Sequence, residues 1–123
     1  MLPKKNRLTR KDIQRIFKDG KFLNSPNLTF KFIRNTASLQ SRISFIAPKS
    51  VAKGAIKRNL LRRRGYAAFK KYINKTPAGL YGAFIFGKRS LNIFGLKKPS
   101  APVLDQEIKY ILEKYEKNYF KNN

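Results

Sequence analysis

The spacing of apolar residues along this chain switches between helical and strand periods, and each switch marks an element. Ile13, Ile16 and Phe17 recur at helical spacing behind Thr9 and Asp12, a pair that reads as an N-cap with an acid at the third helical position. Leu8 and Ile13 stand where a hydrophobic staple forms, and Gly20 is expected to close the helix as a C′ glycine. Residues 28–34 alternate, with Leu28, Phe30 and Phe32 on one side; residues 42–47 do the same with Ile43, Phe45 and Ala47. Both read as strands, and Phe22–Leu23 supplies a further edge strand.

A helix follows from about Gly54 to Ile73. At 100° per residue, Leu61, Gly65, Ala68, Phe69 and Tyr72 share an arc of about 100°, and Asn59, Arg62, Arg63, Tyr66 and Lys70 share an arc opposite. One stripe is therefore for burial and the other for presentation. Residues 81–88 are apolar enough for a central strand, and 90–100 read as a long loop. Residues 102–118 form a last helix with Val103, Ile108, Ile111, Leu112 and Tyr115 inward, and 118–123 a frayed tail. The order is αββαβα plus the edge strand, a small α/β sandwich with helices covering one side of a sheet.

Charge changes the picture. The 123 residues hold 29 Lys and Arg against 6 Asp and Glu, a net +23. Residues 105–123 carry four acids and four lysines, which cancel, whereas residues 1–104 hold only Asp12 and Asp19 among 25 cations. Self-repulsion of this size destabilises a lone compact domain, but phosphates supply the counter-charge and released counterions drive binding. Between Lys53 and Arg64 six cations occur with no acid to pair at i,i+4. A nucleic-acid binder is the leading class; a binder of anionic membrane surfaces is the bland alternative.

The same composition excludes several chemistries. Histidine is absent, which removes the usual general acid–base of metal-independent ribonucleases, the Ser–His and Cys–His pairs and His-ligated zinc. Two-metal phosphodiester chemistry needs clustered carboxylates, and the acids here are scattered. No catalytic residue and no metal ligand is identified in this polypeptide. No apolar run approaches the ~18 residues that span a bilayer, the N-terminus lacks the apolar stretch of a signal peptide, and cysteine is absent. A cytoplasmic protein, monomeric and without a membrane partner, is expected.

The ordered set of motifs resembles the protein component of bacterial ribonuclease P. Leu8-Thr9, Ile13, Ile16, Phe17 and Gly20 look like that family's first helix. Residues 42–47 followed by Lys49 look like its second strand and basic exit, and Ala55-Ile56-Lys57-Arg58-Asn59 with Arg62-Arg63 and Ala68-Phe69 looks like its signature helix. The resemblance implies an α+β fold, an αβββαβα sandwich with a left-handed βαβ crossover, where right-handed crossovers are the rule. It also implies a function. Such a protein binds a large catalytic RNA, and the complex removes the 5′ leader of precursor tRNA. The RNA, with bound Mg2+, does the chemistry, and the protein alone holds no cofactor. The alternative, carried by charge alone, is a structural RNA binder such as a ribosomal protein; an independent nuclease is disfavoured by the missing catalytic set.

On this reading Lys53, Arg58, Asn59, Arg62, Arg63 and Arg64 contact the RNA subunit, because guanidinium forks suit bidentate phosphate contacts and Asn59 offers both a donor and an acceptor. Phe17, Lys31 and Lys49 contact the leader, Phe17 by stacking on an unpaired base; Lys88 and Arg89 are weaker candidates. The chain departs from the family pattern at Leu60, where the family's Arg-Asn-Arg signature has its second arginine. Gly65 stands where a larger apolar residue is usual, at a cost of up to ~1 kcal/mol in helix propensity unless close packing needs it. Ile13 stands where an aromatic is common. The loops at 48–54 and 90–104 are longer than usual.

Overall fold

The computed structural model describes residues 2–94 and 101–120. The elements run α1 (Arg10–Asp19), β1 (Lys21–Asn24), β2 (Leu28–Arg34), β3 (Arg42–Ile46), α2 (Ala55–Phe69), β4 (Leu80–Phe86), a short α3 (Ser90–Phe94) and α4 (Ala101–Tyr115). The four strands form one sheet in the order β1-β2-β4-β3. β1–β2 and β2–β4 are antiparallel, while β3 and β4 pair parallel and are joined through α2. The alternation of β2 and β3 thus placed both strands within a residue, and the apolar run at 80–86 is central as its composition demands.

The core lies on one face. Register lines up Phe30, Phe84 and Phe45 across three strands, and their rings meet at 4.4 Å and 4.9 Å. Leu61 and Phe69 of α2 and Ile108, Ile111 and Tyr115 of α4 close over them, all fully buried. The expected inward stripe of α4 holds except at Val103, which is 40% exposed.

Four expectations are corrected. The helices do not all cover one face: Lys31, on the face opposite Phe30, lies under Phe17 of α1, so α1 packs on the reverse side. The long helix ends at Phe69, and Lys70–Lys75 is a tighter 3-10 segment. The stretch after β4 is not all loop, since α3 occupies Ser90–Phe94; residues 95–100 lie outside the described ones. The expected fraying tail is wound into a π-helical turn at Glu116–Phe120, where the Tyr119 ring packs on Phe32, and residues 121–123 lie outside the described ones.

Two glycines have steric rather than conformational reasons. Gly20 caps α1 with φ −73°, not the left-handed angle expected of a C′ glycine; a Cβ there would lie 2.3 Å from the Ile16 carbonyl oxygen. Gly65 lies within an uninterrupted α2, where a Cβ would meet the Phe45 ring at 2.4 Å. The propensity cost of Gly65 is offset by letting α2 settle directly on the central aromatic ring.

Candidate nucleic-acid interface

The N-terminal part of the molecule arranges three basic elements around the free edge of β3. Thr9 and Asp12 form the anticipated capping box, each backbone N–H donating to the other's side chain at 2.9 Å and 3.2 Å. Burial pushes the Asp12 carboxyl up, but the hydrogen bonds from Thr9 and the Arg42 guanidinium outweigh it and hold the group below its ordinary value. The Arg42–Asp12 ion pair, at 3.1 Å, ties α1 to β3.

The edge of β3 is guarded at two points. Asn6 Nδ2 donates to the Ser41 carbonyl at 2.8 Å, and the Phe45 N–H donates to the Tyr66 hydroxyl at 3.2 Å. Tyr66 was expected on the presented stripe of α2; it is buried because its hydroxyl completes this strand edge. Beyond it the edge lies open as the floor of a cleft of about 510 Å³, walled by Arg7, Leu8 and Ile13 on one side and by Arg58, Asn59 and Arg62 on the other.

The six residues expected at the RNA subunit therefore separate. Asn59 and Arg62 share the cleft wall, and Arg62 Nη1 donates to Asn59 Oδ1 at 3.4 Å. Asn59 is not a helix cap, since Gly54 holds that position. Arg58 lines the cleft while its Nη1 also donates to the Ala52 and Lys53 carbonyls. It braces the loop entering α2 and keeps its other N–H groups for a ligand. Arg63 is exposed one step around the helix. Arg64 points away: 200° from Arg62 at helical spacing, it donates to the Phe94 carbonyl and fastens α2 to α3. Lys53 is exposed at the α2 N-terminus, beside Lys57 in another recess. Leu60 is half-buried.

Of the leader set, Phe17 and Lys31 come together, the ammonium 5.3 Å from the ring centroid. Phe17 is 45% exposed, so much of its ring is open to solvent. Lys49 does not join them. It is exposed on the loop leaving β3, two strands across the sheet from Lys31, roughly 10 Å at ordinary strand spacing. Lys88 and Arg89 are exposed just beyond β4. Sequence reasoning missed Phe22, the cross-strand partner of Lys31, on the same face and 58% exposed. The signal was present in its alternation with buried Leu23. It also passed over the outer face of α1, where Lys11, Arg15 and Lys18 are exposed at helical spacing.

The protein's carboxylates do not fit a metal site. Among the described residues no three potential ligands gather. Asp12 is committed to its cap and Arg42. Lys71 at 2.6 Å holds Asp105 below its ordinary value against its partial burial, helped by the Tyr72 hydroxyl. Buried Glu107 accepts from Ser25 Oγ, the Asn27 N–H and Asn27 Nδ2 at 2.5, 2.7 and 2.8 Å. No described helix is long and apolar enough to cross a membrane.

Comparison with known proteins agrees with this architecture. The chain is similar to the ribonuclease P protein of Thermotoga maritima, with a TM-score of 0.75, 24% identity and coverage of 88% of this chain and 96% of that one. It is similar to the ribonuclease P protein of Staphylococcus aureus, with a TM-score of 0.74, 16% identity and coverage of 90% and 95%. A ribonuclease P protein component of a Pseudanabaena species is 30% identical over 81 residues, 65% of this chain and 70% of the relative. The family Ribonuclease P matches residues 2–116, and with that extent of agreement the chain belongs to the ribonuclease P protein family.

Proposed function

We propose that this protein is the protein subunit of a ribonuclease P, binding a catalytic RNA subunit and the 5′ leader of precursor tRNA. The observation that carries the reading is the cleft wall of Arg58, Asn59 and Arg62, with Arg63 beside it. Among the described residues, no carboxylate lies within ion-pair distance of any α2 cation. In a folded protein such charge is destabilising until a polyanion neutralises it. The RNA subunit takes this wall, where forked guanidinium groups meet phosphate oxygens.

The leader takes the reverse face of the sheet. Phe17 and Phe22 offer flat apolar surfaces to unpaired bases, and Lys31 between them offers charge to the phosphates. Such contacts are indifferent to sequence, which suits a subunit that handles many leaders. Mg2+ belongs to the RNA partner, where it supplies the phosphodiester chemistry; the protein contributes binding and charge and is not catalytic alone.

The test is leader cleavage. The purified chain is added to a bacterial ribonuclease P RNA at low magnesium with precursor tRNA as substrate. Cleavage rising above that of RNA alone supports the proposal. No rise, with retained binding to ribosomal RNA, favours a structural RNA binder. Cutting by the protein alone would revive an independent nuclease.

A further inference from the structure

The open edge of β3 carries polar groups that the cations around it do not explain. Two contacts fix which way this edge faces: Asn6 meets the Ser41 carbonyl, and the Tyr66 hydroxyl meets the Phe45 N–H, both from outside the sheet. Alternation along the strand then turns the N–H and C=O of its odd-numbered residues away from β4. The Phe45 carbonyl therefore faces the cleft, and no described residue donates to it.

The same contact orients Tyr66. Its oxygen accepts from the Phe45 N–H, so its own O–H proton is still to be given, and no described residue accepts it. Its ring is held edge-on to the Phe45 ring at 5.2 Å, and both residues line the cleft of about 510 Å³. A donor and an acceptor thus stand side by side on the floor, beneath the guanidinium groups of the wall. Phosphate fits the wall but not this pair, because its oxygens only accept and the carbonyl would repel them. The pair complements a small group that donates and accepts at once.

We infer that the floor reads the 2′-hydroxyl of one ribose in an RNA strand lying in the cleft. The Tyr66 O–H donates to the 2′ oxygen, and the 2′ O–H donates to the Phe45 carbonyl. The 2′-hydroxyl has this double character, and it is the group by which a protein tells RNA from DNA. Base edges also mix donors and acceptors, but each base sets a different pattern, whereas one fixed pair meets the same hydroxyl on every nucleotide. Tyr66 is then a specificity-determining residue, separate from the charge of α2. The inference rests on the RNA-binding reading above and adds sugar selection to it.

The test measures binding of the full chain to three labelled oligouridines of equal length, carrying ribose, 2′-deoxyribose or 2′-fluororibose. All three present the same bases and phosphates, and the 2′-fluoro sugar keeps the pucker of ribose without the hydroxyl proton. The wild-type protein is expected to prefer the ribose oligomer to either of the others by about fivefold, the worth of one net hydrogen bond. Oligocytidines should give the same ratio. Tyr66→Phe removes the hydroxyl and keeps the ring, and should bring the ratio towards one, with a thermal melt verifying the fold. Equal binding of ribose and deoxyribose oligomers by wild type overturns the inference, as does an undiminished ratio in folded Tyr66→Phe. A 2′-fluoro oligomer that binds like RNA shows that sugar shape is read instead, and a ratio that changes with the base shows that a base edge is; either overturns it. These last arms need no variant, so a poorly folded Tyr66→Phe does not shelter the inference. Failure of all three oligomers to bind in a salt-dependent way overturns the RNA-binding reading itself.

Discussion

Helices α2 and α4 have the same length, fifteen residues, and pack against each other over the same aromatic core. They treat charge in opposite ways. The acids that begin α4 are consumed inside the protein: Asp105 holds Lys71 and Tyr72, and Glu107 gathers three donors from the turn between β1 and β2. The cations of α2 find backbone carbonyls, an amide or solvent. One helix is complete within the fold, and the other is complete on its inner face only. Stability and binding should therefore be separable by mutation, which is unusual for two helices in contact.

The sharpest way to break that contrast is Glu107→Ala. It strands three donors, two of them on Asn27, whose carbonyl also receives Gly87 and Ser90. A loss of about 3 kcal/mol in chemical unfolding is expected, with RNA affinity of the folded protein unchanged. Gly65→Ala comes next. Despite better helix propensity it should cost about 2 kcal/mol by overpacking Phe45, and Phe45→Leu should recover part of that in a double-mutant cycle. A neutral Gly65→Ala would show that the ring yields freely.

Arg62→Ala with Arg63→Ala should move binding alone. The salt slope of RNA affinity should fall by about two, one per lost phosphate contact, with the unfolding midpoint shifted by no more than about 0.5 kcal/mol. An unchanged slope removes both arginines from the interface. Leu60→Arg restores the family's missing cation at a half-buried position, and a slope steeper by up to about one is expected; no gain means the helix sits on RNA in another register.

The smallest effect belongs to the Lys71–Asp105–Tyr72 contact. Asp105 has a lowered pKa, so its contribution is present above the ordinary value of 3.8 and is lost as pH falls through the folded value. The Tyr72 hydroxyl is pushed up to about 12, by burial first and then by Asp105, so its contribution persists below pH 10 and is lost as pH rises through about 12. Asp105→Asn should cost up to about 1 kcal/mol at neutral pH and nothing near pH 2, read by denaturation at both values.

Much of this was legible in sequence for physical reasons. Alternation fixes which side of a strand is buried, so β2, β3 and the central β4 came through, and a capping box is a local device with a local signature. Arg58, Arg62, Arg63 and Arg64 look equivalent as letters, and only their surroundings divide them. Arg64 is claimed by Phe94, thirty residues on, in a helix that reads as loop. Gly65 is a cost until Phe45 is placed beneath it. Lys49 was grouped with Lys31 by charge alone, and the strand order sets them apart.

The hydroxyl that Tyr66 lends to Phe45 also bears on how the chain behaves among copies of itself. β3 is the outer strand of its sheet, and an outer strand with open amides recruits neighbours into fibrils. Here a newcomer would have to displace a tyrosine anchored in the core, then Asn6, and then approach a molecule already carrying +23. A strand edge occupied at two points and flanked by repelling charge is a poor template for self-association, so polymerisation of the free chain is disfavoured.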